Sequence, residues 1–259
     1  MKHHRPFYVV VSVFFPCLLI GLFTENVRAE ADAEEYRANV ARIERQILDT
    51  MYNLAMSRIP GYKQRTTEER GFPDPSGEGN PDPVRIDMRQ GAIFETQRHL
   101  DTAIKGEGFF QCMDGKSGEI VYTRCGSFEL TPGGTFCLVS GNVVRLLQPE
   151  ITVPEETLSV EISDDGSVRA RKSGQTELEM LGKIELATFC SPTRLKVLDE
   201  RFFLETHFSG PPTSRDPGFD GAGVLKGRSL EGSNVNTPES LKELKRLKTI
   251  RKAFKKGRA

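Results

Sequence analysis

The chain has 259 residues, of which 37% are hydrophobic, so it is long enough for one or two domains with a packed core. Its formal net charge is zero, which argues against bulk attraction to nucleic acid as the basis of its function. The 24 glycines, 15 prolines and missing tryptophan favour a turn-rich body over a helical bundle. Two of the four histidines, His3 and His4, lie at the extreme amino terminus, so few groups remain for acid–base catalysis.

Residues 1–31 have the pattern of a secretory signal peptide. Lys2 and Arg5 supply the positive start, and an almost wholly apolar run follows over residues 7–23. The small residues Ala29 and Ala31 then offer cleavage sites. The alternative is an uncleaved anchor, since the apolar run is only slightly shorter than a membrane-spanning helix. Either interpretation predicts export of the rest of the chain to the periplasm.

A helix is predicted for residues 33–57, which contain good helix formers and neither Gly nor Pro. Its apolar residues recur at spacings of three and four and form one narrow stripe, as in a coiled coil. The stripe consists of Tyr36, Val40, Ile43, Ile47, Met51 and Leu54. The sequence does not distinguish between a partner helix and the chain's own body as the surface that buries this stripe. Pro60 ends the helix, and we assign residues 32–65 to this helix and its turn. Residues 66–84, rich in Gly, Pro and charge, are predicted to be an extended linker.

The next region, residues 85–206, is predicted to be a mainly antiparallel β domain of short strands. Residues 108–113 and 119–125 flank a polar loop, which indicates a hairpin, and residues 135–139 add a strand. Counting from that loop places Cys112 opposite Ile120, and counting from the next turn, residues 131–134, places Cys137 opposite Phe128. Further strands are predicted within residues 84–96, 167–172, 182–189 and 195–204, with Asp164-Asp165-Gly166 as a hairpin turn. Residues 150–162 are predicted to form a pair of strands with a tight corner at Pro154.

The carboxy-terminal part is predicted to leave the β domain through an extended return segment, residues 207–236. Pro238 is expected to break the chain, and residues 237–259 form a basic helix or tail. From Lys242 to Arg258 there are nine Lys or Arg and one acidic residue, Glu243. Such a block is typical of a solvated tail or of a surface that contacts an anionic cell-envelope polymer or lipid. A drifting apolar stripe accompanies it, formed by Leu241, Leu244, Leu247, Ile250 and Phe254.

Four motifs, taken in chain order, resemble those of the flagellar basal-body rod and hook family, and most closely its distal rod branch. They are Asn53-Leu54-Ala55 with Pro60-Gly61-Tyr62-Lys63; Gln90-Gly91, Thr96 and Leu100-Asp101-Ala103-Ile104-Gly106-Gly108-Phe109-Phe110; Tyr122-Thr123-Arg124 with Gly126-Ser127-Phe128; and Glu205-Thr206, Ser209-Gly210, Pro217-Gly218, Gly221, Gly223 and Leu230-Glu231-Gly232-Ser233-Asn234-Val235. A single short motif of this kind would be weak evidence, whereas four in the same order are specific.

This resemblance implies that the two terminal helices pair as a coiled coil and that a β-rich domain lies outside them. It implies a non-enzymatic structural subunit of the bacterial flagellar rod whose partners are copies of itself and other rod or hook subunits, without nucleic acid. Two features differ from the family pattern, namely the secretory signal and the basic carboxy terminus. The alternative is therefore a divergent periplasmic scaffold or binding protein of the same fold that does not polymerise.

No catalytic, cofactor-binding or metal site is predicted. Asp164 and Asp165 are best explained as turn residues. A secreted hydrolase would need His99 or His207 beside a carboxylate and a nucleophile, and the nearby Ser209 is better explained by the fourth motif. Four cysteines follow the signal segment: Cys112, Cys125, Cys137 and Cys190. They are expected to be small buried apolar residues, with a cross-sheet disulfide that includes Cys190 as the alternative.

Overall fold

The computed structural model describes residues 14–67 and 84–256, with side chains of the first helix from residue 33 onward. Two helices lie at the ends of this region, α1 (Phe14–Met56) and α2 (Thr237–Lys256). The predicted signal segment lies outside the described residues as far as residue 13, and its remainder forms the start of α1. Most of the predicted linker, residues 68–83, also lies outside them. Within the described ranges, no helix is both long and apolar enough to cross a membrane.

Eighteen short strands lie between the helices within the described ranges. They are β1 (Arg65–Thr67), β2 (Val84–Ile86), β3 (Ile93–Glu95), β4 (Thr102–Lys105), β5 (Phe110–Asp114), β6 (Ile120–Thr123), β7 (Glu129–Leu130), β8 (Phe136–Ser140), β9 (Val143–Gln148), β10 (Thr157–Ile162), β11 (Ser167–Lys172), β12 (Glu179–Lys183), β13 (Leu186–Thr188), β14 (Lys196–Val197), β15 (Phe202–Leu204), β16 (Thr213–Arg215), β17 (Val224–Gly227) and β18 (Ser229–Glu231). The predicted fold class, mainly antiparallel β with terminal helices, is confirmed.

The strands form a β body around one seven-stranded sheet, with the order β14-β15-β6-β5-β9-β8-β7. A three-stranded sheet, β10-β11-β12, and four strand pairs complete the body, and all the pairings are antiparallel. The main core contains Phe110, Phe128 and Phe136, none of which is exposed to solvent, with ring centroids 5.1 and 5.9 Å apart in edge-on contacts. Such contacts contribute beyond the apolar area that they bury.

The predicted hairpin exists, but its register differs by one residue from the prediction. Cys112 lies opposite Val121, not Ile120, because Asp114 belongs to β5 and not to the loop. The Asp114 carboxylate accepts hydrogen bonds from the backbone N–H groups of Lys116 and Ser117, at 2.8 and 2.9 Å. The next hairpin is likewise shifted, since Cys137 lies opposite Glu129.

Several other elements differ from the sequence predictions. Strand β9 was not predicted, and residues 195–204 form two paired strands, β14 and β15, where one strand was expected. The predicted strand pair within 150–162 is the single strand β10, and residues 84–96 hold the separate strands β2 and β3. Residues 207–236 carry β16, β17 and β18, which pair with β13, β4 and β3 of the β body.

Pro238 does not break the chain, because it lies in the first turn of α2, where a missing backbone N–H costs nothing. The side-chain oxygen of Asn236 accepts a hydrogen bond from the Glu239 N–H at 3.2 Å and caps this helix.

All four cysteines of the β body are free thiols. Cys112, Cys125 and Cys137 are buried, as predicted, but Cys190 is exposed. The alternative disulfide with Cys190 is therefore not formed.

Candidate assembly site: the neck and the helix pair

Helices α1 and α2 pack against each other along one apolar seam. Ile43, Ile47 and Leu247 are its buried centre, and Leu244, Ile250 and Phe254 pack around them. The helices run in opposite directions, since Tyr36, which precedes Ile43 and Ile47 in α1, donates a hydrogen bond to the carbonyl oxygen of Phe254, which follows Leu247 in α2, at 3.0 Å. Both helices therefore leave the β body from the same place and cover each other.

The predicted stripe on α1 is only partly the seam that the structure uses. Ile43 and Ile47 are buried, but Met51 is 48% exposed. Leu48 is 65% exposed and Tyr52 41%. The helix pair thus hides one face of α1 and leaves other large apolar side chains in solvent.

The end of α1 is tied to the chain that follows it by Asn53, which is 4% exposed. Its side-chain oxygen accepts hydrogen bonds from the Tyr62 hydroxyl at 2.7 Å and from the Arg65 N–H at 3.0 Å. Its amide nitrogen donates to the carbonyl oxygen of Arg65 at 2.7 Å. These bonds fix the turn at Gly61 and define the direction in which α1 leaves the body.

A buried charge cluster lies directly under that turn. The Glu231 carboxylate, with no exposed surface, accepts from the Lys63 ammonium at 2.6 Å and from the Arg124 guanidinium at 2.7 and 2.8 Å. The Gly91 N–H adds a third donor at 2.9 Å. The remaining N–H groups of Arg124 point to the backbone carbonyl oxygens of Ile104, Gly106 and Gly108. We call this cluster, with the turn at residues 60–64 and the segment 230–234, the neck.

The charged form of Glu231 is favoured although the group is buried. Burial alone raises the pKa of a carboxyl group, but Arg124 and Lys63 outweigh it, and the pKa of Glu231 lies below its ordinary value. The carboxylate is therefore ionised throughout the neutral range.

Backbones approach so closely at the neck that only glycine fits. Gly61 has φ +73°, and a Cβ added there would lie 2.4 Å from the Cys125 backbone nitrogen. A Cβ at Gly91 would lie 2.0 Å from the Gly232 carbonyl oxygen. The Gly61 N–H also donates to the Glu231 carbonyl oxygen at 2.8 Å. The neck is therefore a rigid junction between the helix pair and the β body.

All four sequence motifs meet at the neck. The first supplies Asn53 and Lys63, the second Gly91, the third Arg124 and the fourth Glu231. Asn234 completes the junction, because its side chain accepts from the Gln64 N–H at 2.7 Å and donates to the Asp87 and Arg89 carbonyl oxygens at 2.7 and 3.0 Å. The sequence analysis found these residues as motif positions but assigned them no role. The signal for this cluster in the sequence is the presence of oppositely charged residues within glycine-rich motifs.

Comparisons with known proteins show which proteins this chain is similar to. The family model described as "Flagellar hook protein FlgE/F/G D1 domain" matches residues 103–170, from β4 to β11. The chain is 36% identical over 184 residues to the flagellar basal-body rod protein FlgG of Buchnera aphidicola subsp. Baizongia pistaciae, covering 70% of this chain and 69% of that protein. It is 30% identical over 224 residues to the protein of that name in Caulobacter vibrioides, covering 78% of this chain and 83% of the relative.

The chain belongs to the flagellar basal-body rod protein FlgG family. The resemblance predicted from the four motifs is thereby confirmed. Not every relative is matched over most of its length. The FlgG protein of Buchnera aphidicola subsp. Acyrthosiphon pisum is 38% identical over 152 residues, which is 59% of this chain and 57% of the relative.

The residues weighed for other chemistry lie apart from the neck in this FlgG-family chain. His99 is exposed, with its Nδ1 atom 2.9 Å from the Arg228 guanidinium, and the His207 ring lies beside that of Phe208. Asp165 accepts from the Ser167 N–H at 3.1 Å and so acts as a turn residue. The Ser209 hydroxyl accepts a hydrogen bond from the Thr206 N–H and donates one to the Thr206 carbonyl oxygen, and the Ser209 N–H donates to the Thr206 hydroxyl. In the described ranges, no group of three or more His, Cys, Asp or Glu residues is placed to hold a metal ion.

A matched pair of glycine substitutions tests the close approach at the neck. Gly61 and Gly118 have nearly equal positive φ angles, +73° and +75°, but nothing lies within 4 Å of a Cβ at Gly118. We expect Gly118→Ala to cost about 1 kcal/mol of unfolding free energy, from the positive φ alone. Gly61→Ala should cost several-fold more, because the Cys125 backbone must also move. Equal losses in chemical denaturation would contradict a tightly packed neck.

Substitution of the buried carboxylate tests the charge cluster. Glu231→Gln keeps the shape of the side chain but leaves Lys63 and Arg124 without a counter-ion, so we expect a loss of about 3–5 kcal/mol at pH 7. The control is Glu95→Gln, whose ion pair with Lys226 is largely in solvent and should change the unfolding free energy by less than about 1 kcal/mol. Urea denaturation of both variants measures the difference.

The wild type and Glu231→Gln should also differ in how their stability depends on pH. The folded pKa of Glu231 is depressed, so its stabilisation is fully present above the unfolded value of about 4.3 and is lost as the pH falls through the folded pKa. The gap in unfolding free energy between wild type and Glu231→Gln should therefore be constant above about pH 5 and narrow below it. A gap that widens in acid would show that Glu231 is protonated in the folded protein at neutral pH.

Proposed function

We propose that this chain is a non-enzymatic structural subunit of the flagellar basal-body rod. In this proposal it assembles with copies of itself and with other rod and hook subunits through its terminal helices. The observation that carries the proposal is the helix pair, which leaves the β body as a unit and keeps large apolar side chains such as Leu48 in solvent. Burying such a side chain contributes about 1.5–3 kcal/mol, and a filament repeats that gain at each subunit.

The chemistry of the neck supports this role. A structural subunit of a rod needs a fixed angle between its helices and its outer domain. A buried cluster whose cations come from the first and third motifs supplies that constraint, because no partner can move without leaving a charge unpaired. Head-to-tail contacts between such rigid subunits build an open filament when the rotation from one subunit to the next does not close a ring.

The proposal divides the chain by task. Residues 1–31 are a signal for export to the periplasm, 32–65 the coiled-coil-type helix and its turn, 66–84 a linker, 85–206 the outer β domain, 207–236 the return segment and 237–259 the basic closing helix. The exposed basic residues of α2, among them Lys245, Lys248 and Lys252, support an anionic polymer or lipid of the cell envelope as an additional contact.

Breaking the helix pair tests the assembly proposal. Ile47→Asp places a carboxylate in the apolar seam, whereas Gln46→Asp adds the same charge one residue away, where the side chain is exposed. We expect Ile47→Asp to abolish incorporation into basal bodies and motility while the β body stays folded, and Gln46→Asp to be close to wild type. Normal incorporation of Ile47→Asp would contradict assembly through the helix pair.

The export step is tested separately on a tagged copy. Amino-terminal sequencing of the protein from basal bodies or periplasm should find Glu30 or Asp32 as the first residue, which corresponds to cleavage after Ala29 or Ala31. A protein that begins at Met1 would exclude a cleaved signal. A monomer found free in the periplasm at every concentration would favour the scaffold that does not polymerise.

A further inference from the structure

A groove lies between strand β10 and the turn that joins β7 to β8. Its volume is about 360 Å³, which is within the range of about 300–1,000 Å³ that is usual for ligand sites. The large apolar side chains of its lining are Leu100, Leu130, Val153, Leu158 and Val160. Leu158 is 68% exposed and Leu130 38%. The groove therefore leaves apolar surface in water that a bound ligand would cover.

Backbone hydrogen bonds hold the two walls of the groove together. The Val153 N–H donates to the Gly134 carbonyl oxygen at 2.9 Å, and the Phe136 N–H donates to the Ile151 carbonyl oxygen at 3.0 Å. Gly134 has a φ of +81°, and a Cβ added there would lie 2.3 Å from the Val153 carbonyl oxygen. The groove is therefore part of the packed fold and exists before any ligand binds.

Strand β10, which forms one wall, is an edge strand. It is the first in the order β10-β11-β12, so it has a neighbouring strand on one side only. In an antiparallel pair, every second residue of such a strand directs its N–H and C=O groups away from the neighbour. In the described ranges, no backbone hydrogen bond of residues 158–160 leaves the sheet. Unpaired backbone groups thus lie next to an apolar groove.

The edges of the seven-stranded sheet present less backbone than β10 does. That sheet ends in β14 and β7, which have two residues each, whereas β10 has six. The last part of β10 is covered, since a Cβ added at Gly227 would lie 2.8 Å from the Ile162 carbonyl oxygen. The open part, residues 157–160, is about 13 Å long. An open edge of this length is a template for pairing with another strand.

The charges at the groove favour a partner that carries a basic residue. Glu155 is the only carboxylate of the lining, which contains no Lys or Arg. Glu156 beside it is also exposed, and in the part of the chain that the structure describes neither carboxylate has an ion pair. The lining residue that contacts a cation is His99, whose Nδ1 atom lies 2.9 Å from the Arg228 guanidinium. A basic residue of a partner therefore finds its counter-charge just before β10 begins.

We propose that this groove binds an extended segment of a second protein, which adds a strand to the open edge of β10. The segment packs an apolar side chain on Leu158 and Leu130 and places a basic side chain beside Glu155 and Glu156. Hydrogen bonds to the strand edge supply affinity, and the groove selects the side chains. This inference goes beyond rod assembly, because it assigns a partner other than the chain's own copies to a surface of the β body.

A second copy of the chain is a poorer occupant of this edge. Antiparallel pairing of β10 with β10 of another copy, centred on residues 157–160, sets Glu156 of each copy opposite Glu161 of the other. Like charges directly opposite each other destabilise a strand pair. A strand with a basic residue at that position has the opposite effect.

A synthetic strand provides the first test, on the purified full chain. The probe is the heptapeptide Lys-Val-Thr-Leu-Thr-Val-Lys, with a fluorophore at its amino end and an amide at its carboxyl end. Its sequence is the same in both directions, so it does not presuppose the orientation of the bound strand. Fluorescence polarisation should show saturable binding. A probe with Glu in place of both Lys residues should bind at least about tenfold more weakly, because it sets like charges together.

Matched variants locate the probe on the chain. Leu158→Lys should weaken binding at least about tenfold, since it removes apolar cover and adds a like charge. Leu130→Lys should act in the same direction. Met180→Lys makes the corresponding change at a side chain that is 51% exposed on β12, the far edge of the same sheet, and should leave the affinity unchanged. A probe that does not bind, or that is weakened equally by Leu158→Lys and Met180→Lys, would overturn the proposal.

Backbone methylation of the probe tests strand addition itself. Methyl groups on the two Thr nitrogens block one edge of the extended probe, and methyl groups on the Val and Leu nitrogens block the other. One of these two patterns should abolish binding and the other should preserve it. Equal binding of both methylated probes, or loss of both, would overturn pairing with β10.

A cross-link between copies separates the proposed partner from a second copy. Leu158→Cys is made in a chain that also carries Cys17→Ser and Cys190→Ser. A disulfide-linked dimer in cells would identify a copy of the chain at this edge and overturn the proposal, whereas a chain that stays uncross-linked supports it. Assembly through the terminal helices is measured independently of these outcomes, so the rod proposal can stand when this one fails.

Discussion

The carboxylate of Glu231 is fully buried and bonded to two cations, Lys63 and Arg124, that come from distant parts of the chain. A buried carboxylate without partners would be too costly to retain, so the fold must bring these segments together. The same cluster draws in the backbone of Gly91 and aligns Arg124 with three carbonyl oxygens. The terminal helices and the β body are oriented relative to each other by this one set of interactions.

Two parts of the molecule with different tasks meet at the neck. On one side, a β body packs its own core of phenylalanines. On the other, two helices bury a narrow seam centred on Ile43, Ile47 and Leu247. That seam covers one face of each helix and no more. A chain built in this way has its own packed core and still leaves helical surfaces exposed to solvent.

The two exposed helical surfaces are chemically unlike. The outer face of α2 is dominated by Lys and Arg, so it suits an anionic partner and repels its own copies. The outer face of α1 is more apolar, and Leu48 and Tyr52 are its large exposed side chains.

The sequence by itself determined the fold class, the family and most of the strands, because periodicity and turn residues act locally. It indicated the apolar stripes of both helices, but Met51 fell outside the buried seam because the stripe's exact line depends on where α2 packs. The predicted strand register at Cys112 was wrong by one residue, since Asp114 accepts hydrogen bonds from the turn that follows it and so extends β5.

Only the tertiary structure decided the rest. Strand β9 was missed because Arg145 interrupts its apolar pattern. That guanidinium is nevertheless buried, with Asp114 at 2.8 Å and Asp199 at 3.0 Å as counter-ions. The neck was hidden for the same reason. A charged residue in a sequence predicts exposure, and its burial is recognised only when folding has brought an opposite charge to it from far along the chain.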